Sequence, residues 1–248
     1  MPNPPSHTAL AFMLADRLQQ PFLARHPGPL LLGSTAPDIR VITGAQRDDT
    51  HFAPLESTDL DAGVRGLFAA HPQLCPLRTL SEESQAFLVG YISHLVADQA
   101  WINGMYRPYF ETADRFPNPV AAMVMDRALQ LEMDRRAAAD VGRALPLLAQ
   151  AEAGVDIGFI DGPTLRAWRK WLEGRLSQGF TWERLRFMAR RRQDPGDVTV
   201  AESVADAFLE SVPRGLSGLE DAVPWRLVEG FQAVALGESE RLARRLIG

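Results

Sequence analysis

The stretch SEESQAFLVGYISHLVADQAW, residues 81–101, decides the fold. It opens on Ser81 followed by Glu82 and Glu83, a capping hydroxyl and two carboxylates suited to the positive end of a helix. No proline interrupts it, and it lacks the alternation of a half-buried strand, so it predicts a helix reaching about Trp101. On that helix Phe87, Tyr91, His94 and Asp98 fall within a narrow arc, because steps of three and four residues return to the same side. Leu88, Ile92 and Leu95 flank the arc. A carboxylate on a buried face is costly unless it is paired or bound to a cation, so Asp98 requires a partner. His94, one turn away, is the nearest. His-x-x-x-Asp also suits a metal, since both side chains can converge on one ion at about 2.0–2.2 Å. A core histidine hydrogen-bonded to an aspartate fits the same two residues.

Outward from this helix the same periodicity recurs. Ser6 can cap a helix from about His7 to Gln20, with Leu10, Leu14 and Leu18 on one face. The apolar segment Leu30 to Ala36 stops at Pro37-Asp38, and Ile39 to Thr58, with Gly44, Asp48, Asp49 and Pro54, reads as a long loop. Further helices are expected over 59–70, from Asn118-Pro119 to about Asp140, and over 163–177, 181–193, 201–211 and 224–247. Pro195-Gly196 and Pro213-Arg214-Gly215 read as turns. The class is all-α, and 248 residues fit one helical domain. His94 is the last histidine, so metal chemistry belongs to residues 1–150, and 151–248 add C-terminal helices that complete the core or form a lid.

Composition narrows the function. A formal charge of -5 argues against nucleic acid as a partner bound through a global positive field. Cys75 is the single cysteine, so no internal disulfide forms and thiolate metal sites are excluded; any metal must use histidine and carboxylates. No apolar run approaches the roughly 20 residues needed to span a bilayer. Residues Ala9 to Ala15 lack a preceding Lys or Arg and read as the first helix, so the expected location is cytoplasmic. Lys170 is the only lysine among 26 basic residues, a skew read as composition. No P-loop or glycine-rich dinucleotide fingerprint occurs.

Taken together, His7 at the start of the first helix, LLGSTAPD at 31–38, THF at 50–52 and FLVGYISHLVAD at 87–98 resemble the zinc-dependent phospholipase C family, whose superfamily includes single-strand-specific zinc nucleases. The resemblance covers about residues 3–140 and implies a compact multi-helix bundle. It implies that Asp38, His51, His94 and Asp98 bind one Zn2+ and that Asp98 bridges to a second held by His7. Six residues precede His7 where secreted members place a processed amine, and the downstream His and His-x-x-x-Glu ligands have no counterpart here. Asp126 is the first choice for a substitute carboxylate. Glu132 and Asp134 read instead as a solvated face paired with Arg127, Arg135 and Arg136.

The function so implied is hydrolysis of a phosphodiester, in a phospholipid or another compound, by one or two zinc ions. Asp38 is the expected catalytic carboxylate, orienting or deprotonating water as well as ligating. The alternatives are a nuclease-like phosphodiesterase and a non-catalytic protein braced by zinc. His26 and His71 read as surface residues, Trp101, Tyr106 and Tyr109 as core or pocket wall, and Arg184, Arg186, Arg190, Arg191 and Arg192 as a solvent-facing cationic stripe.

Overall fold

Proline opens each of the first three helices, α1 (Pro4–Leu18), α2 (Pro21–Arg25) and α3 (Pro27–Gly33). Its preset φ suits the first turn, and its missing N–H lies where no intrahelical acceptor exists. A 3-10 turn at Ala36–Ile39 leads to the single turns α4 (Arg40–Thr43) and α5 (Asp48–His51), then to α6 (Ala62–Ala70). Helix α7 (Glu82–Trp101) is capped as the sequence predicts, Ser81 Oγ accepting from the Ser84 N–H at 3.2 Å, and continues into a π-helical segment, Ile102–Glu111. There follow α8 (Pro119–Arg136), α9 (Ala138–Ala144), α10 (Gly162–Ser177), α11 (Arg184–Arg190), α12 (Val198–Ser211), α13 (Arg214–Ala222) and α14 (Trp225–Ile247). This computed structural model describes residues 1–111, 115–190 and 197–248, and the described residues contain no strand.

Helix α7 is the axis of the bundle: α1, α2, α3, α6 and α14 all pack against it. Every residue from Ala86 to Ile102 is buried, so the helix is surrounded rather than amphipathic. The contact with α3 is the closest, and two glycines make it possible. A Cβ on Gly90 would collide with the Leu30 carbonyl oxygen and stand 2.7 Å from the Ser34 nitrogen, and one on Gly33 would collide with the Phe87 carbonyl. Leu30, Leu31 and Leu32 are all buried beside this contact, each contributing about 1.5–3 kcal/mol of hydrophobic stabilisation. The close approach sets the turn after α3 beneath His94.

Other anchors fix the remaining site segments. Tyr91 Oη donates to the Thr50 carbonyl at 2.5 Å and ties α5 to α7. Trp168 Nε1 on α10 donates to Thr35 Oγ1 at 3.1 Å, holding the turn that carries Asp38. Asp134 on α8 accepts from Asn3 Nδ2 and Ser6 Oγ, both at 2.9 Å, and holds the start of α1.

These anchors correct several expectations. Ser6 lies inside α1, which starts at Pro4 after Asn3, and its hydroxyl serves Asp134 instead of capping. The expected loop from Ile39 to Thr58 contains the two turns α4 and α5, too short to show a period. Pro213 is followed by a helix, α13, and the expected helix to Asp140 breaks into α8 and α9. Glu132, Asp134 and Arg184 are buried rather than solvated, although Glu132 does pair with Arg135 and Arg136 as expected. Arg186 and Arg190 pair with Asp206 and Glu202, while Arg191, Arg192 and Pro195-Gly196 lie outside the described residues.

Candidate metal centre

Asp98 sits in the last turns of α7 with its carboxylate 1–2% exposed, and three histidines from three segments point at it. His7 Nε2 from α1 lies 3.4 Å from Asp98 Oδ1. His51 Nε2 from α5 and His94 Nε2 from the preceding turn of α7 lie 3.2 and 3.5 Å from Asp98 Oδ2. The His7 ring stacks on that of His94 with centroids 3.9 Å apart, and His51 meets His94 edge to face at 5.4 Å. Asp38 joins from the 3-10 turn. Its carboxylate and the nitrogens of His51 and His94 form one group of possible ligand atoms within 4.8 Å of one another, and His7, His94 and Asp98 form another.

The hydrogen bonds around the cluster fix what its atoms offer. His94 Nδ1 lies 2.9 Å from the Ser34 carbonyl oxygen, which can only accept, so Nδ1 carries the hydrogen and Nε2 faces Asp98. His51 Nδ1 contacts the Arg47 carbonyl at 3.3 Å and Thr50 Oγ1 at 3.1 Å. The inner atoms are not satisfied: His7 Nε2, His94 Nε2 and Asp98 Oδ1 are buried without a hydrogen-bond partner. Three orphaned polar atoms in one place are costly unless a cation joins them.

Spacing allows that cation. Two ligands at about 2.0–2.1 Å from a tetrahedral zinc stand about 3.3 Å apart, which is the range of the three nitrogen-to-oxygen distances above. The donor set of imidazole nitrogens and carboxylates suits zinc. Charge complements it. Burial lowers His7 to about 4, with the neighbouring His94 adding to the effect and Asp98 opposing it, so His7 is neutral. Burial also lowers His51, against Asp98. For His94 burial acts downward too, yet the Asp98 charge and hydrogen bond outweigh it and raise the pKa. Burial alone would raise Asp98, but His94, His51 and His7 hold it well below the usual carboxylate range.

All five residues that the resemblance implies as ligands are therefore brought together, although the tight grouping shares His94 rather than Asp98. His94 has one free nitrogen, whereas Asp98 turns Oδ1 to His7 and Oδ2 to His51 and His94, so Asp98 is the residue able to bridge. Asp126 stands in neither group. Its Oδ1 accepts from Trp101 Nε1 at 3.0 Å and its Oδ2 from Gln130 Nε2 at 2.7 Å, which leaves the buried carboxylate satisfied within the protein. His26 pairs with Glu82 at 3.2 Å, and His71 stacks on Phe159 at 4.6 Å, so neither is a free surface side chain. Trp101 is core, edge-on to Phe231, and Tyr106 and Tyr109 pack against the core.

Sequence reasoning missed the surroundings. Asp38 is the least buried of the five, with a side chain 21% exposed, and it opens on a cavity of about 650 Å³. Arg40, Arg127, Lys170, Arg175 and Trp171 are among the residues lining that cavity. The amine of Met1 is buried nearby, and burial lowers it to about 6 against the charges of Asp126, Asp98 and Asp38. No spacing in the sequence points from Asp38 to α10, because only the fold brings them together. Comparison with models of known protein families, with curated proteins and with solved structures found no match.

Proposed function

We propose that this chain is a zinc-dependent hydrolase of phosphodiester bonds, similar to zinc-dependent phospholipase C, acting on a phospholipid or another phosphodiester. The observation that carries the proposal is the convergence of three imidazole nitrogens on a buried carboxylate with three orphaned atoms among them, beside a fourth segment that carries Asp38. Asp38, His51, His94 and Asp98 would hold one ion, and His7 with Asp98 Oδ1 offers a weaker second position. When bound, zinc polarises a phosphoryl oxygen and lowers the pKa of a water toward about 7.

The protein residues supply the rest. The Ser34 carbonyl keeps the proton of His94 on Nδ1 and its Nε2 directed inward. His7, His51, His94 and Asp98 are themselves buried and His7 stacks on His94, which keeps bulk water from the inner side and strengthens every charge interaction there. Asp38 is the one carboxylate of the cluster that faces the cavity, so it is the residue placed to orient a water and take its proton. Arg40, whose Nε lies 4.0 Å from Asp38 Oδ1, sets a positive charge beside that carboxylate. A structural zinc site is closed on all sides; the open side at Asp38 favours catalysis over a brace. No helix among the described residues is long and apolar enough to cross a membrane.

The test is metal analysis of chain purified without chelator, together with hydrolysis of a panel of phosphodiesters. One or two zinc per chain are expected, and His94→Ala should lose both zinc and turnover while its circular dichroism stays helical. Unchanged turnover in His94→Ala would remove the assignment.

A further inference from the structure

The cavity beside Asp38 is built for negative charge, in a chain whose formal charge is -5. Four cationic side chains, Arg40, Arg127, Lys170 and Arg175, line it against one carboxylate, Asp38. They come from three separate segments: α4, α8 and α10. Two of them are only partly neutralised. Arg40 Nε is buried without a hydrogen-bond partner, its nearest anion being Asp38 at 4.0 Å. Lys170, the only lysine of the chain, forms no ion pair among the described residues. Arg127 NH1 is 3.2 Å from Gln130 Oε1 and 3.5 Å from Asp126 Oδ2, so it is held in place by groups that leave most of its fork available.

Shape adds to charge. Trp168 and Trp171, stacked at 4.6 Å, form an apolar wall of the cavity. A quaternary ammonium would use such aromatic faces, but only with anionic groups around them; here the surrounding charges would repel it. A phosphoryl group is the better match, because planar guanidinium forks pair with two of its oxygens at once and the ammonium adds a point charge.

We infer that this cavity receives a second phosphoryl group of the substrate, separate from the phosphodiester held at the metal. The natural substrate is then a phosphodiester that also carries a phosphomonoester, rather than one with a choline-like arm. This assignment rests on the hydrolase reading for calling the occupant a substrate. The binding of an anion in the cavity can be measured without metal, so the two can fail separately.

Calorimetric titration of the zinc-free full chain with glycerol 3-phosphate and with choline, which carries the quaternary ammonium and no phosphate, provides the test. Glycerol 3-phosphate should bind at least about 10-fold more tightly than choline. The double variant Arg127→Gln, Lys170→Gln should lose about 10-fold or more of that affinity while keeping its zinc content after reloading and its thermal melt. Co-sedimentation with phosphatidylcholine vesicles carrying phosphatidic acid distinguishes the source. Capture on those vesicles that the double variant loses points to a lipid, and binding of the soluble ester alone points to a water-soluble substrate. Equal affinity for the two soluble probes, or binding that the double variant leaves unchanged, overturns the inference. Failure of the hydrolase reading would register differently, as absent zinc with anion binding intact.

Discussion

Replacing Asp134 by asparagine should make the protein more stable at neutral pH than the parent chain, and the gain should depend on pH. Asp134 is 4% exposed, and burial raises its carboxyl from 3.8 to about 7, although Ser6, Asn3, Arg184 and Arg175 all pull it down. Below pH 3.8 the carboxyl is protonated in the folded and the unfolded chain, and the full stability is present. Between about 4 and 7 the unfolded chain has lost its proton and the folded chain retains it, so stability falls as pH rises. A displacement of about three pH steps at about 1.4 kcal/mol each gives a loss of up to about 4 kcal/mol by pH 8. Asparagine does not titrate, and its amide can still accept from one of the two donors. The difference between variant and parent should therefore grow by up to about 4 kcal/mol from pH 4 to pH 8, or roughly 8–16 °C in Tm for a chain of this size. Paired thermal and urea melts at several pH values measure it, and taking the difference cancels every other titrating group. A difference that stays constant with pH would refute the reasoning, because it would mean that Asp134 is ionised in the fold or solvated.

Three further outcomes follow from the same packing. Gly90→Ala should destabilise by about 1–3 kcal/mol, because the added Cβ meets the Leu30 carbonyl and the Ser34 backbone, and it should weaken zinc binding by moving the Ser34 carbonyl off His94; urea melts and a zinc titration read the two effects. Trp101→Phe leaves Asp126 Oδ1 without its donor and should cost about 1–3 kcal/mol while zinc stoichiometry is unchanged, and loss of zinc would instead place Asp126 among the ligands. His94 holds its proton more tightly than an ordinary histidine because of Asp98, so zinc must displace it: affinity should fall as pH falls through that raised pKa, and calorimetry in buffers of different ionisation enthalpy should show proton release that grows toward low pH.

The parts of this molecule that were legible in the sequence are those whose cause is local. Ser81 with its two following glutamates announces α7, and the spacing of His94 and Asp98 needs only the helical repeat to place them together. The turns α4 and α5 were illegible because four residues show no period, although they carry His51 and lead away from Asp38. Gly66, where a Cβ would collide with the Phe52 carbonyl, is read as an ordinary helix residue until the chain segment that presses on it is known. Asp134 looked like a surface charge between arginines, and its burial depends on Asn3 and Ser6, more than a hundred residues away. The five proposed ligand positions were reached through the resemblance to a known family, whereas the cationic lining of the cavity is a product of assembly: Arg40, Arg127 and Lys170 share no pattern along the chain.

The wall formed by α10 has a consequence for how this protein can change. The residues that would grip the ion all precede position 100, whereas Trp168, Lys170, Trp171 and Arg175 lie on one later helix, whose Trp168 indole is bonded to Thr35. On the proposed reading, part of the selectivity is thus written in a passage of the gene apart from the ligands, with Arg40 and Arg127 of the earlier part sharing the lining. Variation confined to the exposed positions of that one helix can retune what the pocket admits, through a change of sign or bulk, without disturbing the chemistry beside it.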